Sequence, residues 1–113
     1  MSGPLQEIRI LDISTLIAAP LAGTLLADYG AEVVKVELTD LGDGLRSFPP
    51  FKDGRSLWWK VANRNKRLVS LDLRKEEGVE LFLGMLPKFD VLLENFRPGT
   101  LERWGLSKER LWA

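Results

Sequence analysis

The stretch LQEIRILDISTLIAAPLAGTLLADYGAEVVKVE, residues 5–37, decides the fold class. Leu5 through Ile13 carries Ile8, Ile10, Leu11 and Ile13, a short apolar run suited to a buried parallel strand. From Pro20 to Tyr29, Ala22, Leu25, Leu26 and Tyr29 recur at helical spacing. Pro20 suits a first helical turn, and Gly30 suits the residue after the last one. Val33-Val34-Lys35-Val36 then reads as a second strand. Strand, helix and strand in this order predict a parallel pair joined by a helical crossover.

The pattern continues outward. Leu68 to Leu73 reads as a third strand, and Arg74 to Leu86 as a one-sided helix with Val79, Phe82, Leu83 and Leu86 on its apolar face. Val91 to Leu93 reads as a fourth strand, and two short helical pieces close the chain. Leu38 to Trp59, with Gly42, Gly44, Pro49, Pro50 and Gly54, reads as an ordered loop. The expected class is α/β, a mostly parallel sheet with right-handed crossovers and flanking helices.

Composition narrows the function. One domain fits 113 residues. Sixteen basic and sixteen acidic residues cancel, so no overall field draws the chain to nucleic acid or membrane. Cysteine and histidine are both absent, which removes disulfides, thiolate metal sites and the commonest general base. No secretion signal opens the chain and no apolar run nears membrane-spanning length, so a cytoplasmic setting is expected.

The outline copies a dinucleotide-binding half, with Glu37 at the end of the second strand. The turn Ser14-Thr15-Leu16-Ile17-Ala18-Ala19 nevertheless contains no glycine, so the G-x-G-x-x-G fingerprint is missing and NAD binding is rejected.

Two polar tracts border strands. Glu94-Asn95-Phe96-Arg97-Pro98-Gly99 follows Val91 to Leu93, at the strand end where open α/β sheets bind ligands. A turn alone would need only Pro98-Gly99. Asn63-Arg64-Asn65-Lys66-Arg67 precedes the third strand. Such a charge run is either a solvated connection or, from its place before a strand, part of a phosphate-ligand site. Trp58 and Trp59 read as packing, Asp12 as an acid bonded to neighbouring backbone, and Asp43 as turn chemistry. Asp72 either orients a ligand amine or faces the opposite side of its strand. Arg97 is least explained by structure alone, and Arg103 could converge with it on phosphate through forked hydrogen bonds.

Leu5 to Pro20, Leu26 to Glu37, Gly42-Asp43, Asn63 to Arg67, Leu71-Asp72-Leu73 and Glu94 to Gly99 resemble, in that order, the family III CoA-transferases. That family includes formyl-CoA transferase, carnitine CoA-transferase and the alpha-methylacyl-CoA racemases. The resemblance runs from Leu5 to about Leu111 and implies the N-terminal, CoA-binding part of a Rossmann-like large domain, truncated at 113 residues. It implies that the backbone of Leu71, Asp72, Leu73 and Arg74 holds the adenine end of CoA. Asn95, Phe96 and Arg97 would line the same groove, Arg103 would meet the phosphates, and Ile17 and Ala18 would approach the thioester.

The family's transferases use an aspartate that attacks an acyl-CoA thioester, and the CoA then passes to a second carboxylate. The racemases use a histidine and an aspartate. Both sets lie downstream of the segment matching Glu94 to Gly99, so no catalytic residue and no metal ligand carries over. CoA and acyl-CoA are then substrates, with no covalently bound cofactor. A carboxylic acid acceptor and an interlocked homodimer are the implied partners. Leu38 departs from the pattern, since several family members hold the nucleotide with a basic residue there. Asn63 to Arg67 and Glu94 to Gly99 look more like the transferases. The alternatives are a racemase-type enzyme and a non-catalytic CoA-binding or assembly module.

Overall fold

A computed structural model describes residues 3–40 and 42–112. Its main sheet holds β1 (Arg9–Asp12), β2 (Glu32–Glu37), β5 (Lys66–Ser70) and β6 (Val91–Leu93). All three pairings are parallel, in the order β5-β2-β1-β6. Counting only these four strands along the chain, the order is third, second, first, fourth, as in half of a doubly wound nucleotide-binding sheet. The direction of winding reverses between β1 and β6, which opens the crevice where such sheets take ligands.

Alternation along the strands assigns the two faces. Leu11 and Ile13 with Val34 and Val36 pack against Val79 and Phe82 of α3 (Glu76–Met85) and against Leu106. Ile10 and Val33 pack against Ala27 of α1 (Ala18–Asp28) and Ala31. Asp12 and Lys35 continue the α1 face and are direct neighbours across the strand pair. Two central strands are thus apolar on both faces until their carboxyl ends, where charge enters the core.

Gly30 ends α1 at φ 105°, a left-handed conformation that glycine adopts without strain. Gly78 serves closeness instead, since a Cβ there would lie 1.9 Å from the Asp72 carbonyl oxygen. The last two helices, α4 (Thr100–Arg103) and α5 (Lys108–Trp112), are the expected short pieces, and Ser107 Oγ accepts from Arg110 N at the start of α5.

Two expectations are corrected. Residues 38–59 are not one loop. They hold a 3-10 helix (Gly44–Ser47), a hairpin of β3 (Phe51–Lys52) and β4 (Arg55–Ser56), and the first half of α2 (Leu57–Ala62). Leu45, Trp59 and Ala62 give this excursion its own small core. The third strand of the sheet starts at Lys66 and ends at Ser70, so Leu71 to Leu73 lie beyond it. Leu71 N still donates to Glu37 O, which carries the chain over the sheet rim.

Candidate functional site at the carboxyl rim of the sheet

The carboxyl ends of β1, β2 and β6 meet the loops that follow them in one cleft. Its walls are Ser14 and Thr15 after β1, Leu38 and Asp43 after β2, Leu71 and Leu73 after β5, and Phe96 and Trp104 after β6. The rings of Phe96 and Trp104 meet edge to face, with centroids 5.0 Å apart. The enclosed space is only about 30 Å³, the room of a single water. The cleft is therefore a shallow groove at the rim rather than a preformed cavity.

Of the sequence-predicted residues, Leu71, Leu73 and Phe96 share this cleft. Leu73 is buried in the core, whereas Phe96 is half-buried. Asn95 is spent on the fold. Its Oδ1 accepts from Thr15 N at 2.9 Å and its Nδ2 donates to Thr15 O at 2.8 Å, clamping the turn after β1 to the loop after β6. Ile17 and Ala18 are exposed just beyond that clamp. No side chain caps α1, whose first turn starts there.

Asp72 accepts from Arg74 N, Nε and Nη2, so Arg74 curls back onto its neighbour. Those hydrogen bonds hold the Asp72 carboxyl below the usual aspartate range and raise Arg74. Arg97 is exposed and makes no side-chain hydrogen bond among the described residues. Arg103 is exposed and donates to Thr100 Oγ1. Neither lines the cleft.

The tract from Asn63 to Arg67 is largely structural. Lys66 Nζ donates to Asp12 Oδ2, Pro20 O and Asn63 Oδ1, at 2.8, 2.7 and 2.9 Å. Burial pushes the Lys66 ammonium below the usual lysine range, against the upward pull of Asp12. Arg64 and Asn65 both bond Asp28, while Arg67 is exposed.

A buried charge cluster under the cleft was missed. Lys35 is fully buried in β2, with its Nζ 2.8 Å from Ser14 O, 3.0 Å from Asp43 Oδ2 and 3.9 Å from Asp12 Oδ2. Asp43 Oδ1 accepts from Leu16 N and Leu45 N, and Asp12 Oδ1 accepts from the amide and hydroxyl of Ser14. Glu37 accepts from Asp43 N and, through both oxygens, from Arg46, whose guanidinium stacks 3.9 Å over Trp59. Burial raises the Glu37 carboxyl, but the Arg46 bond, the Asp43 amide and the nearby positive charges outweigh it and hold it below its ordinary value. The signal was present: a lysine in the run Val33-Val34-Lys35-Val36 of a central parallel strand has no route to water and demands buried anions.

Fold and site together define a Rossmann-like α/β fold with a cleft at the winding reversal. The model of the CoA-transferase family III matches residues 5–113, and the chain belongs to that family. It is 49% identical over 111 residues to a succinyl-CoA–D-citramalate CoA-transferase of Chloroflexus aurantiacus, covering 97% of this chain and 28% of that protein. It is 37% identical to an acetyl-CoA:oxalate CoA-transferase of Acetobacter aceti, covering 96% and 28%. Among solved structures, a CaiB/BaiF family protein from Brucella suis superposes with a TM-score of 0.87 at 34% identity, covering 98% of this chain and 30% of that one. The chain thus spans less than a third of the length of these relatives.

Proposed function

We propose that these residues form the CoA-binding part of a CoA-transferase that moves CoA between an acyl-CoA thioester and a carboxylic acid. The observation that carries the reading is the convergence of Leu71, Leu73 and Phe96 with Thr15 on one cleft at the winding reversal, in a member of this family. The main chain of Leu71 to Arg74 takes the adenine end, and Phe96 packs against the nucleotide with Asn95 fixing its loop. Arg97 and Arg103, whose side chains reach solvent beside that loop, meet the phosphates. Ile17 and Ala18 approach the thioester from the first turn of α1.

In the covalent scheme an aspartate attacks the thioester carbonyl, forming an acyl-aspartyl anhydride and CoA thiolate. The thiolate attacks the aspartyl carbonyl of that anhydride, expelling the acyl group as its free carboxylate and leaving an aspartyl-CoA thioester. The acceptor carboxylate then attacks this thioester, and CoA passes through a second anhydride to the acceptor. No carboxylate of this chain is assigned to those steps. Relatives that share 49% and 51% identity with it are named for succinyl-CoA, which favours a succinyl donor and the transferase branch over the racemases. An interlocked homodimer and a cytoplasmic setting belong to the same reading. Among the described residues no helix is long and apolar enough to cross a membrane.

Calorimetry with CoA and with pantetheine tests the assignment. CoA is expected to bind weakly and to weaken with salt, and pantetheine, which lacks the ADP moiety, to bind at least about tenfold more weakly. Equal affinity for the two would sink it.

A further inference from the structure

The turn Ser14–Leu16 is held at every residue by side chains from outside it. Ser14 is gripped through its carbonyl by Lys35 and through its amide by Asp12. Thr15 is gripped by Asn95, and Leu16 by Asp43. Leu16 sits at φ 68°, a left-handed conformation that costs a branched side chain strain and persists only where the surroundings impose it. Two of these grips come from an ion pair, Lys35 with Asp43, whose side chains are both fully buried. Asp12 and Lys66 complete the cluster, so two buried acids face two buried ammonium groups. Gly23 of α1 makes room for it, since a Cβ there would lie 3.2 Å from Asp12 Oδ2 and 3.4 Å from Lys66 Nζ.

We propose that Lys35 and Asp43 act together as positioning residues that fix the strained turn Ser14–Leu16 and thereby aim Ile17 and Ala18 at the ligand. This rests on the functional reading above, in which those two residues face the thioester end of CoA. The pair works by preorganisation: a turn that must be ordered upon binding loses affinity to the ordering entropy, and a turn already held does not. Asp43 is suited to the task because one carboxylate oxygen takes the ammonium while the other takes the Leu16 and Leu45 amides. The same carboxylate joins the loop after β2 to the turn after β1, two segments 27 residues apart.

The test is a graded pair, Asp43→Asn and Asp43→Ala, read by CoA calorimetry and by hydrogen exchange at the Leu16 amide. Asp43→Asn retains an acceptor and should lower CoA affinity about threefold, while Asp43→Ala should lower it about tenfold and release Leu16 to fast exchange. Phe82→Leu, in the core on the other face, is the control. It should lower the melting temperature while leaving both readouts unchanged. If Asp43→Ala melts earlier yet binds CoA within twofold of the parent, the positioning role is refuted. Fast Leu16 exchange in the parent refutes it whatever CoA does. A protected Leu16 in a parent that binds no CoA instead overturns the functional reading, and the ligand role with it.

Discussion

Lys35→Met removes one positive charge from a cluster that balances two against two. Its ammonium lies 3.0 Å from Asp43 and 3.9 Å from Asp12. At an effective dielectric near 20 these contacts are worth about 5.5 and about 4 kcal/mol of attraction. Desolvating three ions consumes much of that, so the net worth of the cluster is small. The cost of breaking it is not small. Methionine leaves two buried carboxylates sharing Lys66 alone, and an uncompensated buried charge costs about 3–5 kcal/mol. Against a total stability of roughly 5–15 kcal/mol, such a variant unfolds early. Adding Asp43→Asn restores the balance to one against one and keeps an oxygen for the Leu16 and Leu45 amides. The double variant is therefore expected to be more stable than Lys35→Met alone, with a coupling of about 2 kcal/mol. Urea denaturation of the parent, both single variants and the double closes the cycle. A coupling below about 0.5 kcal/mol, or a double variant less stable than Lys35→Met, would refute the charge-balance argument.

Two glycines of α3 should respond with opposite signs. Gly78→Ala forces a Cβ onto the Asp72 carbonyl and should cost several kcal/mol, about 3 or more, whereas Gly84→Ala meets nothing within 4 Å and should stabilise by about 0.5–1 kcal/mol; thermal melts showing the same sign for both would overturn the packing at Asp72. Arg97→Ala and Arg103→Ala should each weaken CoA binding about five- to tenfold and flatten its salt dependence, and calorimetric affinities equal to the parent's would remove them from the phosphate site. Acid should destabilise the chain through Glu37 and Asp72. Both carboxyls titrate below their ordinary values of 4.5 and 3.8 in the folded state, so their contribution is present above those values and is lost as pH falls through the lower folded ones. Glu37→Gln should lessen that loss in melts between pH 6 and pH 3, and an unchanged profile would count against the Glu37–Arg46 pair.

The strands were legible because Ile10, Leu11, Val33 and Val34 sit in runs too apolar for any setting but a sheet covered on both faces. The excursion after β2 was not legible. Its hairpin strands are two residues each and α2 is six, too short for a periodic signal. The reading of Asp12 as bonded to neighbouring backbone is met by its Ser14 contact, yet misses Lys66, 54 residues away. Asn63 to Arg67 read equally as a solvated connection or as ligand chemistry because a tract of cations beside a strand has the same spelling whether it faces solvent, a phosphate or a buried aspartate.

The order of apolar runs by itself determined the class of fold, and the polar blocks at strand ends determined the family, since both are properties of neighbours along the chain. Which charges face one another was decided only in three dimensions. Lys35, Asp43, Asp12 and Lys66 meet because one face of a parallel sheet, the helix crossing over it and the loop after β2 close on one point, and a buried charge is tolerable only where that closure supplies its opposite.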